Sequence, residues 1–223
     1  MFIMKKRSIP QNWRIWVAIF TIFSTTFSTK LAAQSDASRR FGGGLVLGFN
    51  ASQIEGDAAS GYRKVGFNIG LRGKIRLDNP RMWVTTDLLW SQRGSRTDQY
   101  EDPIMRRIHL DYVEIPVLFH YGDWQKTVNG KSFYAVSLAA GLSYGRLFNA
   151  SFNEHATNFF RNPPTTVFRN NDIAYTGAVS FATSATWSYS VRYTRSLNLL
   201  TNDPLGQLRW QGYFISFASH FDF

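Results

Sequence analysis

The sequence predicts an all-β fold, an eight-stranded antiparallel up-and-down transmembrane β-barrel. Apolar and polar residues alternate with a period of two along most of the chain, and the connections between these segments alternate in length. Residues 213–223 form a further alternating segment rich in aromatics. In a soluble protein such a strand would be an apolar edge prone to aggregation, whereas a closed membrane barrel has no edge and needs one apolar face per strand.

Residues 1–33 are predicted to be a cleaved signal peptide. Residues 5–7 are basic, an apolar run follows at 15–23, and small residues lie just before the expected cleavage point after Ala33. The alternative is an uncleaved anchor helix, but the apolar run is shorter than the roughly 20 residues that span a bilayer. We therefore expect residues 34–223 to form the barrel, exported to the outer membrane.

Composition excludes several classes of protein. The chain of 223 residues suits one barrel, and it has no cysteine for disulfides or metal sites. Five of the 25 basic residues and none of the 15 acidic residues lie in residues 1–33, so the remainder carries a net charge of only +5. This scattered charge does not predict nucleic-acid binding. The mean hydropathy of −0.23 excludes a bundle of membrane-spanning helices.

Eight alternating segments are predicted as strands. The clearest is residues 65–77, where the odd positions are apolar apart from Gly73 and the even positions are glycine, asparagine, arginine or lysine. The full set comprises residues 41–52, 65–77, 82–93, 107–121, 132–146, 172–182, 187–197 and 209–223.

The fourth predicted strand contains an irregularity. Its apolar residues occupy even positions up to Tyr112 and odd positions from Val113 onward. Because a change of parity needs an extra residue, we predict a β-bulge between these two positions. Pro116 in the same strand lacks the amide hydrogen that a β-ladder uses, so pairing is expected to be disturbed there.

The lengths of the connections agree with an outer-membrane barrel. Those after the second and sixth strands are short, and the one after the fourth, residues 122–131, contains the turn sequence Asn129-Gly130. The longer, polar connections are residues 53–64, 94–106, 147–171 and 198–208. Outer-membrane barrels have short periplasmic turns and longer outer loops, so both the number and the order of the connections match.

Aromatic residues on the apolar face are predicted to form two belts. Near the periplasmic ends lie Phe41, Tyr121, Tyr134, Trp187, Phe221 and Phe223, and near the outer ends lie Phe49, Trp90, Tyr112, Tyr144, Tyr175, Tyr193 and Tyr213. Tyr134 and Tyr144 would be separated by about 25 Å along the membrane normal, the height of the apolar band. A soluble lipocalin-like barrel is the alternative, but its outer face would be charged.

Several segments resemble a known family when taken in order. They are Gly48–Gln53, Leu89–Ser95, Leu110–Pro116, Ala140–Gly145 and Val191–Thr194. In this order they resemble the PorT-like outer-membrane β-barrel family of Gram-negative bacteria, over nearly all of residues 34–223. The resemblance implies an eight-stranded outer-membrane barrel. The namesake branch is associated with type IX protein secretion and gliding, and the family has no catalytic residues to carry over.

Charged residues on the inward-facing side predict an ion-pair network in the lumen. Asp87 and Glu114 are expected to neutralise Arg72 and Arg192, since an unpaired buried charge costs several kcal/mol. The network is either a fixed plug, which the narrow lumen of an eight-stranded barrel favours, or a gate that opens a small pore. Further charged residues are expected in or near the lumen, namely Lys74, Arg76, His109 and Asp111.

The third outer loop, residues 147–171, is a candidate binding surface. Its aromatic and arginine residues include Phe152, Phe159, Phe160, Arg161, Phe168 and Arg169. Exposed aromatics beside arginine are typical of protein recognition. The alternative is that they pack over the barrel mouth or lie among the sugars and phosphates of lipopolysaccharide.

No catalytic or metal-binding pattern is evident in the sequence. His109 and Asp111 lie on one side of a strand, but no nucleophile motif such as Gly-x-Ser-x-Gly accompanies them. Glu55 and Asp57 lack the ligand density of a calcium site. We expect no metal and no cofactor.

We therefore predict a non-enzymatic outer-membrane protein with a structural or interaction role in the cell envelope, with type IX-like secretion or surface adhesion as finer hypotheses. A small gated pore and a lipid-modifying enzyme are the alternatives. The expected partners are the lipid bilayer, lipopolysaccharide, envelope or secretion proteins, and the barrel-assembly machinery. That machinery would recognise the aromatic residues Phe217, Phe221 and Phe223.

Overall fold

The computed structural model describes residues 40–56, 61–96, 105–156, 159–161, 168–202 and 209–223. The predicted signal peptide lies outside these residues, so its cleavage stays a prediction. Within the described ranges, no helix has the length and apolar character required to cross a membrane.

The described residues form β-strands joined in a closed ring. The strands are β1 (Phe41–Glu55), β2 (Lys64–Arg76), β3 (Met82–Arg96), β4 (Met105–Val128), β5 (Lys131–Ala156), β6 (Phe159–Arg161), β7 (Asn171–Ala182), β8 (Trp187–Ser196) and β9 (Gln211–Asp222). Eight of them pair antiparallel in chain order, with β5 pairing with β7 and β9 returning to β1. The short β6 pairs with β5 outside the ring. The predicted eight-stranded antiparallel barrel is confirmed.

The barrel is apolar outside and polar inside. Along β1, Leu45, Leu47 and Phe49 are exposed on the outer surface, whereas Val46 and Asn50 are buried in the interior. The same alternation runs along the other strands of the ring, as a lipid-facing exterior requires. We call the end with the short connections, including residues 77–81 and 183–186, the turn end, and the opposite end the loop end.

The hairpin between β4 and β5 is longer than predicted. Residues 122–131 were expected to be a connection, but β4 continues to Val128 and β5 begins at Lys131. The turn itself is only Asn129 and Gly130, whose φ angles are 51° and 75°. Two positive φ angles define the type I′ turn, which matches the twist of the paired strands and which asparagine and glycine adopt most easily. At the loop end, β5 also extends through residues 147–156, which were assigned to the third outer loop.

The predicted irregularity is present, but it lies on the partner strand. Asp111 of β4 pairs with Asn149 of β5, and Tyr112 pairs with Leu147, so Phe148 is the extra residue. The predicted change of parity in β4 is wrong, because Tyr112 is only 1% exposed and points into the barrel. Tyr112 therefore does not belong to the outer aromatic belt.

Pairing between β3 and β4 is interrupted at the proline, as predicted. Thr86 pairs with Val117 and Leu89 pairs with Glu114, but the two positions between them are unpaired. Pro116 lies in this gap and has no amide hydrogen to donate. The register is the same on both sides, so the proline removes local hydrogen bonds without shifting the strands.

Candidate functional site: the barrel lumen

One aspartate and two arginines form an ion-pair cluster across the lumen. Arg72 Nε and Nη2 donate to the two carboxylate oxygens of Asp87 at 2.8 and 3.1 Å. Arg192 Nη2 donates to Asp87 Oδ2 at 2.9 Å. All three side chains are buried. The sequence predicted these three residues for the lumen, and the structure brings them together on one carboxylate.

The strands that carry these three residues show that the cluster spans the lumen from one wall to the other. Arg72 and Asp87 are direct cross-strand partners on β2 and β3. Arg192 lies on β8, and three strands separate β3 from β8 in either direction around the ring. The bond between Asp87 and Arg192 therefore joins opposite walls of the barrel.

A second ion-pair cluster is centred on Arg93 of β3. Its guanidinium lies 2.5 Å from Glu114 Oε2 of β4 and 2.8 Å from Asp172 Oδ2 of β7. Ser143 Oγ donates to the other Glu114 oxygen at 2.7 Å. The expectation that Glu114 would pair directly with Arg72 or Arg192 is corrected, since the guanidinium that contacts its carboxylate is that of Arg93.

Aromatic rings enclose the Arg93 guanidinium. Its central carbon lies 4.1 Å from the ring centroid of Phe214 and 4.8 Å from that of Tyr112. A cation held over aromatic faces and away from water gains further stabilisation from the ring quadrupoles. Arg93 and Asp172 were missed by the sequence analysis, although Arg93 shares the odd parity of Asp87 in the same predicted strand.

Uncharged side chains fill the space between the two clusters. Ser216 Oγ donates to Asn50 Oδ1 at 2.6 Å, and Asn50 Nδ2 donates to Ser91 Oγ at 2.9 Å. The hydroxyls of Thr176 and Thr194 lie 3.1 Å apart. All five side chains are buried. These contacts join β1, β3, β7, β8 and β9 through a polar interior.

Two histidines lie in the turn-end half of the lumen. His120 Nε2 lies 2.9 Å from Thr85 Oγ1, and His220 Nε2 lies 2.7 Å from Ser190 Oγ. In a serine hydrolase the nucleophilic serine lies beside a histidine, and a third group must also orient that histidine. Nδ1 of His220 has no hydrogen-bond partner among the described residues, and both Ser190 and His220 are buried. The arrangement therefore gives no support to a nucleophile.

The remaining predicted lumen charges lie towards the two ends. Lys74 Nζ is 3.2 Å from Asp222 Oδ2 near the turn end, with both side chains partly exposed. His109 Nε2 is 3.1 Å from Asp111 Oδ1 near the loop end. Arg76 is exposed at the end of β2, so its placement in the lumen is corrected.

Apolar side chains close the lumen at the loop end. The members of this mouth cluster come from three strands and two loops and comprise Ile54, Ile108, Leu110, Tyr112, Leu147, Phe168, Leu200 and Trp210. Phe168 is 6% exposed, and its ring centroid is 6.0 Å from that of Trp210. Trp210 Nε1 in turn donates to the carbonyl of Gly56 at 3.0 Å. Phe168 therefore packs over the mouth, which was the alternative interpretation, and is not exposed for recognition.

Of the other residues predicted for the binding surface of the third outer loop, the structure describes the side chain of Arg169 alone. Arg169 is exposed, and its Nε donates to the carbonyl of Thr201 at 3.1 Å. The side chains of Phe152, Phe159, Phe160 and Arg161 lie outside the described part of the structure, so their role stays a prediction.

The C-terminal aromatic residues lie on the outside of β9 or just beyond it. Phe217 is exposed and stacks on Phe49 of β1 with ring centroids 5.2 Å apart. Phe221 is partly exposed and packs against Trp187, and Phe223 is exposed with its amide donating to the carbonyl of Gly43. Their proposed role in assembly is not tested by these contacts.

One family model matches this chain, and solved structures of outer-membrane proteins are similar to it. A family model described as outer membrane protein beta-barrel domain matches residues 32–202. The attachment invasion locus protein Ail of Yersinia pestis, solved with the heparin analogue sucrose octasulfate, is 12% identical with a TM-score of 0.46, over 83% of this chain and 100% of Ail. Neisserial surface protein A is 11% identical with a TM-score of 0.41, over 83% and 98% of the two chains. No curated protein matches the sequence. From the family match over most of its length, the chain belongs to the outer membrane protein β-barrel domain family.

Proposed function

We propose that this protein is a non-enzymatic outer-membrane barrel with a structural or interaction role in the envelope, and that its lumen is plugged. The observation that carries this proposal is the bond between Asp87 and Arg192, which joins opposite walls of the ring. Eight strands leave an interior that side chains alone can fill. The mouth cluster adds an apolar layer above the ion pairs.

A small gated pore is the second candidate function. The feature that favours it is the polar interior formed by Asn50, Ser91, Thr176 and Thr194, which water could wet. Opening would require the Asp87–Arg192 and Arg93–Asp172 pairs to separate, and that would leave buried charges without partners. This cost favours the plug over the gate.

The finer functional hypotheses concern partners. Accessory roles in type IX-like secretion or surface adhesion rest on the resemblance of five short segments to the PorT-like family. Contact with the barrel-assembly machinery rests on the outward aromatic residues Phe217, Phe221 and Phe223. A partner would have access to the loop end through exposed groups such as Arg169.

Photo-crosslinking in intact cells tests the interaction role. We expect a photoreactive residue in place of Arg169 to give one defined protein adduct that copurifies with the barrel in a constant ratio. The control is the same residue at Leu71, which is exposed on the lipid face and should give no such adduct. If both variants yield only the free barrel, the interaction role is contradicted and a stand-alone envelope protein remains.

A further inference from the structure

Two arginines face each other at the loop end of the barrel. Arg96 at the end of β3 is the direct cross-strand partner of Arg107 on β4, and both are exposed. Each lies six residues beyond an outward-facing side chain, Trp90 on β3 and Val113 on β4. In a strand tilted by ~40°, six residues cover about 15 Å along the membrane normal. The arginines therefore lie on the outer surface, above the apolar band.

This arrangement is unfavourable for the barrel alone. Like charges on directly opposite residues of an antiparallel pair destabilise the pairing. Among the residues that the structure describes, no carboxylate lies within ion-pair distance of Arg96 or Arg107.

A third cation, Lys64, lies near this pair but on the inward-facing side of its strand. The amino group of Lys64, at the start of β2, interacts electrostatically with both arginines. It also interacts with Asp111, but that carboxylate already contacts His109 and accepts a hydrogen bond from Asn149. Among the described residues, positive charge therefore dominates around this arginine pair, and an external anion would neutralise it.

We propose that Arg96 and Arg107 form a binding site for phosphate groups of lipopolysaccharide. Guanidinium groups bind phosphate through two parallel charge-assisted hydrogen bonds, and two facing arginines can hold one phosphate between them. The outer leaflet carries phosphorylated sugars at the height where these residues lie. The inference rests on the outer-membrane location, and it does not depend on whether the barrel conducts or binds a protein.

Binding to purified barrel in lipopolysaccharide-free detergent tests this site. We expect lipopolysaccharide to raise the unfolding temperature of the barrel, and lipopolysaccharide stripped of phosphate to do so much less. The Arg96→Gln/Arg107→Gln variant should bind at least about tenfold more weakly, since a tenfold loss corresponds to about one charge-assisted contact and this variant removes both arginines. The control is Arg146→Gln, since Arg146 is also exposed at the loop end but donates to Asn171 Oδ1.

A second measurement tests whether residues of the chain itself, and not an external phosphate, neutralise the two arginines. Without lipopolysaccharide, Arg107→Gln should raise the unfolding temperature because it removes repulsion from Arg96. A lowered temperature would overturn the proposal, since it would mean that residues of the chain itself neutralise the pair, such as the acidic residues within 97–104. Unchanged lipopolysaccharide affinity in the double variant, or equal stabilisation by inorganic phosphate, would also overturn it.

Discussion

Replacing Asp87 with alanine is expected to lower the free energy of unfolding by about 3–5 kcal/mol. The reason is that Arg72 and Arg192 would both stay in the lumen without a counter-charge. Their side chains are only 7% and 4% exposed, so water cannot replace the lost carboxylate without opening the barrel. Urea unfolding of the barrel in lipid vesicles, followed by tryptophan fluorescence, measures the change.

The matched control for this variant is Asp222→Ala. Asp222 also pairs with a cation, but its side chain and that of Lys74 are 21% and 24% exposed. Since partial hydration weakens both the attraction and the penalty of losing it, we expect a loss of about 1 kcal/mol or less. If Asp87→Ala cost no more than Asp222→Ala, the lumen would be hydrated and the plug would be contradicted.

Replacing Arg93 with methionine is expected to have the second largest effect, again about 3–5 kcal/mol. Methionine keeps much of the side-chain volume but leaves Glu114 and Asp172 as two buried negative charges near each other. The variant also loses the contacts of the guanidinium with Tyr112 and Phe214. The same unfolding measurement applies.

The conservative variant Arg93→Lys identifies the cause of that loss. Lysine retains the positive charge but not the planar group that bonds two carboxylates and stacks between two rings. We expect it to recover part of the stability lost in Arg93→Met. If Arg93→Met unfolded at the wild-type urea concentration, charge balance in the lumen would not contribute to stability.

The sequence was sufficient to predict the barrel because alternation is a local signal. Each strand of the ring repeats it, and the Asn129-Gly130 turn has its own backbone requirement. The pairing of Arg72 with Asp87 follows from their positions on neighbouring strands with inward parity.

The features that the sequence did not predict depend on contacts between distant parts of the chain. Ile108, Leu110 and Tyr112 were assigned to the lipid face because an apolar residue in a barrel strand usually faces lipid. Here they face inward because loop residues fold over the mouth and cover them, Phe168 among them. Parity alone cannot distinguish an apolar residue beside lipid from one beneath such a cover.

The partner of each buried charge was equally hard to predict. Arg93 and Asp172 lie on strands separated by two others in the shorter direction around the ring. Which residues meet across the lumen depends on the relative heights of the strands, and those heights come from the register of every pair between them. The sequence pattern indicates which side chains share one face of a strand, but it does not give this height.

Conductance of the purified barrel in a planar lipid bilayer tests the plug most directly. With the Asp87–Arg192 and Arg93–Asp172 bonds joining separate walls of the lumen, we predict that the wild-type protein inserts without discrete current steps. Steady single-channel steps in the wild-type protein, with an open time that changes in Glu114→Gln, would contradict the plug and identify a gated pore.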